Sequence, residues 1–285
     1  MSGRFKLGKV AIIGRGKVGR ALAEKLRPLL GRDLSLVRGR GRAPLRADTV
    51  LLAVPDGSLA HVALTLADPS LLTKALLTKG KLRRAPVVLH LSGLRDAAVL
   101  APLEASGVVI GAMHPLVSFA DRKHPPKLVG ATVVISGKRP ARLAAERLAV
   151  LLSMRVIARP TGALQGPRYH AAAALLANGA VALATESSRV LEGLGVPRRA
   201  RERALAGLLR SVADNVEHVG LPKALTGPVV RGDASAVALH LSALAPKERA
   251  AYVDVTARIL AVAIEGGLAP APARAIAALL RKGRR

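Results

Sequence analysis

Cysteine is absent from the 285 residues, which removes disulfides, thiolate nucleophiles and Cys-ligated metal sites from consideration. Tryptophan is absent too, and the whole aromatic complement is Phe5, Phe119, Tyr169 and Tyr252. A core must therefore be aliphatic, and there are too few aromatics to stack successive bases on. Long apolar runs are also missing. The longest, 170–184, is interrupted by Asn178 and Gly179 and falls short of the ~20 residues that a membrane span needs. The apolar stretch behind the basic N-terminus, 10–13, is too short for the h-region of a signal peptide. A soluble, cytoplasmic chain without a metal site is expected.

Acidic residues are scarce: 18 Asp and Glu stand against 45 Lys and Arg, a formal charge of +27. Such a charge attracts polyanions. The basic residues are scattered through nearly every segment rather than gathered in one tail. Weak, non-specific polyanion binding at low salt is expected, with nucleic-acid recognition as the main function the least favoured reading.

The first half alternates short β-branched runs with amphipathic stretches. Strands are expected over 9–13, 34–37, 49–54, 87–91, 108–110, 132–135 and 155–158, and a helix over 17–30 with Val18, Leu22, Leu26 and Leu29 on one face. This rhythm predicts an α/β fold with a doubly wound parallel sheet. After Pro160 it stops. Helical patterns run over 169–194, 198–219, 234–244, 247–265 and 271–281, the first closed by Gly195 and Pro197. The reading is a nucleotide-binding domain over 1–161 and an all-helical domain over 162–285.

Directly after the first strand stands Gly14-Arg15-Gly16-Lys17-Val18-Gly19, a complete G-x-G-x-x-G. Its first glycine permits a tight turn, the second lets backbone approach a pyrophosphate, and the third allows close helix–strand packing. The following helix N-terminus adds free N–H groups and a positive dipole. NAD-binding proteins place a carboxylate after the second strand to hold the ribose 2′-hydroxyl. Here that place is taken by Arg38, then Arg40 and Arg42, which suit a 2′-phosphate. NADP is therefore the expected cofactor. Val54 and Pro55, at the end of the third strand, should line it, while Asp56 should cap the next helix.

Other residues carry candidate chemistry. Ser92, in a turn at the end of the fourth strand, can hydrogen-bond a nicotinamide or a substrate carboxylate, or merely close the turn. His114 precedes Pro115 and could face the same crevice. Thr226-Gly227-Pro228 forms a turn, and in Arg231-Gly232-Asp233 the aspartate can cap the next helix while Arg231 meets an anionic substrate group.

Several segments resemble one family: His90-Leu-Ser-Gly93, the run from His114 to Phe119, Tyr169-His170 with Asn178, and Leu225 to Asp233 followed by His240. They are similar to Rossmann-like proteins with a C-terminal domain of unknown function, relatives of pyrroline-5-carboxylate reductase and the β-hydroxyacid dehydrogenases. The resemblance implies an NADP-dependent oxidoreductase and a homodimer built through the helical half. It also draws attention to His170 and Asn178, because the β-hydroxyacid dehydrogenases use a lysine and an asparagine four residues apart on the equivalent helix. This chain lacks that lysine, and a spacing of eight leaves the two side chains roughly 80° apart around the axis. Histidine is nevertheless an apt proton donor near neutral pH. Hydride transfer between NADPH and a small, carboxylate-bearing carbonyl or imine is the reading that results. A non-catalytic NADPH-binding regulator is the alternative.

Overall fold

The computed structural model describes residues 7–38, 47–68, 85–158 and 165–284. They divide into two compact units, Met1–Ala174 and Leu175–Arg285, which are taken separately.

In the first unit, seven strands form one sheet in the order β2-β1-β3-β4-β5-β6-β7. They are β1 (Val10–Ile13), β2 (Leu34–Val37), β3 (Thr49–Leu52), β4 (Val87–His90), β5 (Val109–Pro115), β6 (Thr132–Gly137) and β7 (Arg155–Ala158). Side chains alternate across the sheet, and each face has its own core. Ile12, Leu51, Leu89 and Met113 pack with Leu22 and Leu26 of α1 (Lys17–Leu30) and with Ala145 and Leu148 of α3 (Arg139–Leu151). On the opposite face Ile13, Leu52, Val88 and Ile110 pack with Leu59 and Val62 of α2 (Leu59–Ala67), and with Leu100 and Leu103 of the 3-10 segment Ala97–Ser106. Strands covered on both sides must be apolar throughout, which is why β1, β3 and β4 are buried at every position.

The sheet is parallel from β2 to β5, but β6 runs antiparallel to β5. A parallel return needs a crossover element. None of the residues between Pro115 and Thr132 is helical, so the chain re-enters from the edge it has just left. Pairing with β6 also carries β5 on to Pro115, and His114, expected beyond the strand, lies within it opposite Val134. Asp56 does not cap α2. It begins a 3-10 turn, Asp56–Ser58, and Ser58 occupies the cap position of α2 without a side-chain bond.

The helix α4 (Gln165–Gly193) starts four residues before the expected position, so Tyr169 and His170 sit in its second turn. The second unit continues with α5 (Arg198–Val219), α6 (Ala234–Ala243), α7 (Pro246–Glu265) and α8 (Pro270–Gly283). Val237, Leu241, Val253, Leu260, Ile276 and Leu280 form its core, all from the last three helices. No helix among the described residues is long and apolar enough to cross a membrane.

Candidate functional site

The sheet order reverses direction between β1 and β3: the chain goes to one side for β2 and to the other for β3. Ligands of open α/β sheets bind beyond the carboxyl ends of strands at this switch point. The glycine loop leaves β1 there, its turn fastened by Gly14 N–H donating to the Val37 carbonyl at 2.9 Å and Ala53 N–H to that of Ile13 at 2.8 Å.

The three glycines do different work. Gly14 has φ +118°, and a Cβ on it would lie 2.1 Å from the Ala53 carbonyl oxygen. A Cβ on Gly19 would lie 1.9 Å from the Gly14 carbonyl oxygen and 3.2 Å from the Ala53 Cβ. Both are therefore required by the protein's own packing. Gly16 is not: a Cβ there meets no described atom within 4 Å. Gly16 is also the N-cap of α1, and that helix has neither a side-chain cap nor an acidic residue in its first turn. Open space over free N–H groups at the end of a 14-residue helix is the cradle that a pyrophosphate fits.

The surroundings are basic. Arg15 Nη2 donates to the Leu36 carbonyl at 3.2 Å, which ties its guanidinium to β2, and Arg20 Nε donates to the Arg15 carbonyl at 3.0 Å. Arg38, exposed, follows β2 immediately, while Lys17 and Val18 form the first turn of α1. Val54 is half-buried and Pro55 exposed just past β3. Arg40 and Arg42 lie outside the described residues.

Along the same edge, β4 ends at His90 and turns through Ser92 and Gly93. Ser92 Oγ accepts from Leu94 N–H at 3.1 Å and from Arg95 N–H at 3.0 Å, so the hydroxyl closes this turn. Its own N–H donates to Nδ1 of the fully buried His90 at 3.2 Å. His114 reaches the same place from β5. A Cβ on Gly93 would stand 2.7 to 2.9 Å from Cε1, Nδ1 and Nε2 of the His114 ring, so only glycine lets the imidazole lie that close.

His114 Nδ1 is 2.9 Å from the Tyr169 hydroxyl, and the two rings meet edge to face with centroids 5.6 Å apart. The His170 ring is 6.3 Å from that of His114. The fold thus joins Gly93, His114, Tyr169 and His170, whose positions span nearly eighty residues of sequence. Tyr169 was not among the expected site residues, although it is one of only two tyrosines and adjoins His170. Asn178 is exposed on α4 in the second unit.

Within the second unit, the segment from Leu225 to Asp233 is built as a double turn. Gly227 and Gly232 have φ of +104° and +71°, and Asp233 caps α6 by accepting from Ala236 N–H at 3.0 Å and Ser235 Oγ at 2.6 Å. The Ser235 bond, then the Ala236 N–H, with a smaller contribution from the charge of Arg231, hold the Asp233 carboxyl below the usual range. Thr226 and Arg231 are exposed, and Arg231 makes no hydrogen bond or ion pair among the described residues. Nor does any group of three His, Asp or Glu side chains among them offer a metal site.

This is the fold of the Rossmann-like reductases. It superposes on a Thermotoga maritima protein with 22% identity and a TM-score of 0.56, covering 97% of this chain and 100% of that one. A pyrroline-5-carboxylate reductase from Coxiella burnetii follows at 14%, 0.57, and 98% of both chains. Plasmodium falciparum pyrroline carboxylate reductase, with NADP bound, follows at 12%, 0.59, and 96% of both. Residues 131–259 match the family model named Domain of unknown function (DUF2520). No curated protein matches the sequence.

Proposed function

We propose that the protein is an NADP-dependent oxidoreductase that transfers a hydride between NADPH and a small carbonyl or imine bearing a carboxylate. The observation that carries this reading is the division of labour in the glycine loop. Two glycines serve packing, whereas Gly16 leaves open space, among the described residues, over an uncapped helix N-terminus. Gly14, Arg15, Gly16, Lys17, Val18 and Gly19 would hold the pyrophosphate. Arg38 and Arg40 would take the 2′-phosphate, and Val54 and Pro55 the flank of the nucleotide. The nicotinamide supplies the hydride; the chain itself must bind, orient and manage a proton. His114 and His170 are suited to the proton, and Ser92, whose oxygen closes the turn, keeps its hydroxyl hydrogen to donate. Asn178 would assist on the substrate side, with Thr226 and Arg231 holding the carboxylate.

Catalysis in a homodimer fits the apolar surface of α4 and α5. Leu175 is 80% exposed, Leu176 77% and Leu208 62%, and α5 buries only Arg201. Large apolar side chains exposed along two helices call for a cover, and a second copy of the helical unit would supply one. Sedimentation that finds only monomer at micromolar concentration would refute this part.

The functional test is direct. NADPH and NADH are titrated separately, and NADPH oxidation is then followed with pooled 2-oxo acids and cyclic imines. Tight NADPH binding with turnover is the expected result. Binding without turnover of any carbonyl or imine would instead favour the regulator, and absence of binding would end both readings.

A further inference from the structure

We propose that Tyr169 is a positioning residue: its hydroxyl donates to Nδ1 of His114 and holds the neutral ring in the Nε2–H tautomer. His114, rather than His170, is then the group that hands a proton to the substrate. The proposal rests on the reductase reading for its purpose, but not for its geometry. Three observations, drawn from two separate elements, converge on one imidazole. Gly93, after β4, leaves room for the ring where any Cβ would come within 2.7 Å. Tyr169, on α4, reaches Nδ1 at 2.9 Å. The phenol edge meets the ring at 87°, which adds an aromatic contact of preferred geometry to the hydrogen bond.

The direction of the bond follows from ordinary acidity. Near neutral pH a phenol keeps its proton and is the natural donor to an unprotonated imidazole nitrogen. The hydrogen bond at one ring nitrogen decides which nitrogen carries the proton, so Nε2 carries it here. His170 has no bond of this kind to His114; the two rings stand 6.3 Å apart at 57°.

The pairing also makes a neutral histidine a workable acid. When the oxygen of a reduced carbonyl takes the Nε2 proton, Nδ1 takes the phenol proton along the 2.9 Å bond. Nε2 then takes a proton from water while Nδ1 returns its own to the phenolate, which restores the Nε2–H ring. No imidazolate forms, and the His114 ring need not turn. Lacking the phenol, the ring could donate only after being protonated beforehand.

The test uses the whole protein with ring-labelled histidine and reads tautomers from imidazole nitrogen shifts at pH 8.5, with and without NADP added. Loss of one signal in His114→Asn assigns His114 among the seven histidines. The expected result is a His114 ring entirely in the Nε2–H form, with Nδ1 shifted by an accepted hydrogen bond. Tyr169→Phe, which keeps the ring contact and removes only the oxygen, is expected to release it to a mixture of tautomers. Gly93→Ala, which pushes the imidazole aside, should do the same. A native ring in the Nδ1–H form, or one unchanged by Tyr169→Phe, would overturn the proposal. NADPH titration of the same samples keeps the two readings apart: failure to bind would sink the reductase reading and leave the tautomer result standing.

Discussion

Substituting the three glycines of the loop one at a time separates what the fold needs from what a nucleotide needs. Gly16 has φ −71° and ψ −170°, ordinary extended backbone, and open space at its Cβ position. Gly16→Val therefore meets no steric cost among the described residues. Its cost is the poorer N-cap, about 1 kcal/mol at most, or a fall in thermal midpoint of less than about 4 °C in a unit of this size. The same isopropyl group fills the space reserved for the pyrophosphate, so NADPH affinity should fall by at least ~100-fold, about 2.7 kcal/mol. Gly14→Ala is the converse. Its Cβ would lie 2.1 Å from a backbone oxygen at φ +118°, a combination of strain and overpacking that should cost about 3 kcal/mol or more. Differential scanning fluorimetry and NADPH fluorescence titration of both variants make the comparison. A Gly16→Val protein that still binds NADPH, or a Gly14→Ala protein as stable as its parent, would refute the assignment.

If Arg38 and its neighbours grip a 2′-phosphate, NADPH should bind at least ~10-fold tighter than NADH, about 1.4 kcal/mol, and Arg38→Asp should erase the preference in parallel titrations. His114→Ala and Tyr169→Phe should lower kcat while leaving NADPH affinity unchanged, because both act only in the chemical step; the Tyr169→Phe loss should grow as pH rises and the protonated imidazole disappears. Arg231→Ala should raise KM, and Arg231→Lys should restore it incompletely, since an ammonium cannot reproduce a two-pronged contact. Asp233, held below the usual carboxylate range chiefly by the Ser235 hydroxyl, contributes stability that is complete at neutral pH. Because its folded pKa is the lower one, that contribution should fade as pH falls below the ordinary carboxylate value and vanish below the folded one. Asp233→Asn should flatten this acid limb in a thermal-shift series.

The strand–helix rhythm of the first half and its loss after Pro160 were legible in the sequence because they are local. An apolar run of four to six residues suits a strand covered on both faces, as in a sheet under helices, and β1, β3 and β4 are such runs. The glycine spacing was legible for the same reason, since turn, cap and close packing are dictated within six consecutive residues. The reversal of β6 was not, because strand direction depends on how the chain re-enters the sheet rather than on the composition of 132–135. The length of β5 depended on that reversal, and with it the position of His114. The spacing also gave the three glycines their separate parts; what the tertiary structure added is the reason, since Ala53 faces the missing Cβ of Gly14 and open space among the described residues faces that of Gly16. The company of His114 was the least legible of all: it meets Gly93 from a neighbouring strand and Tyr169 from a helix fifty-five residues on. Side chains so far apart in the chain become partners only when strand order and helix placement are fixed together, so Tyr169 gave no local signal of its part beside the more conspicuous His170.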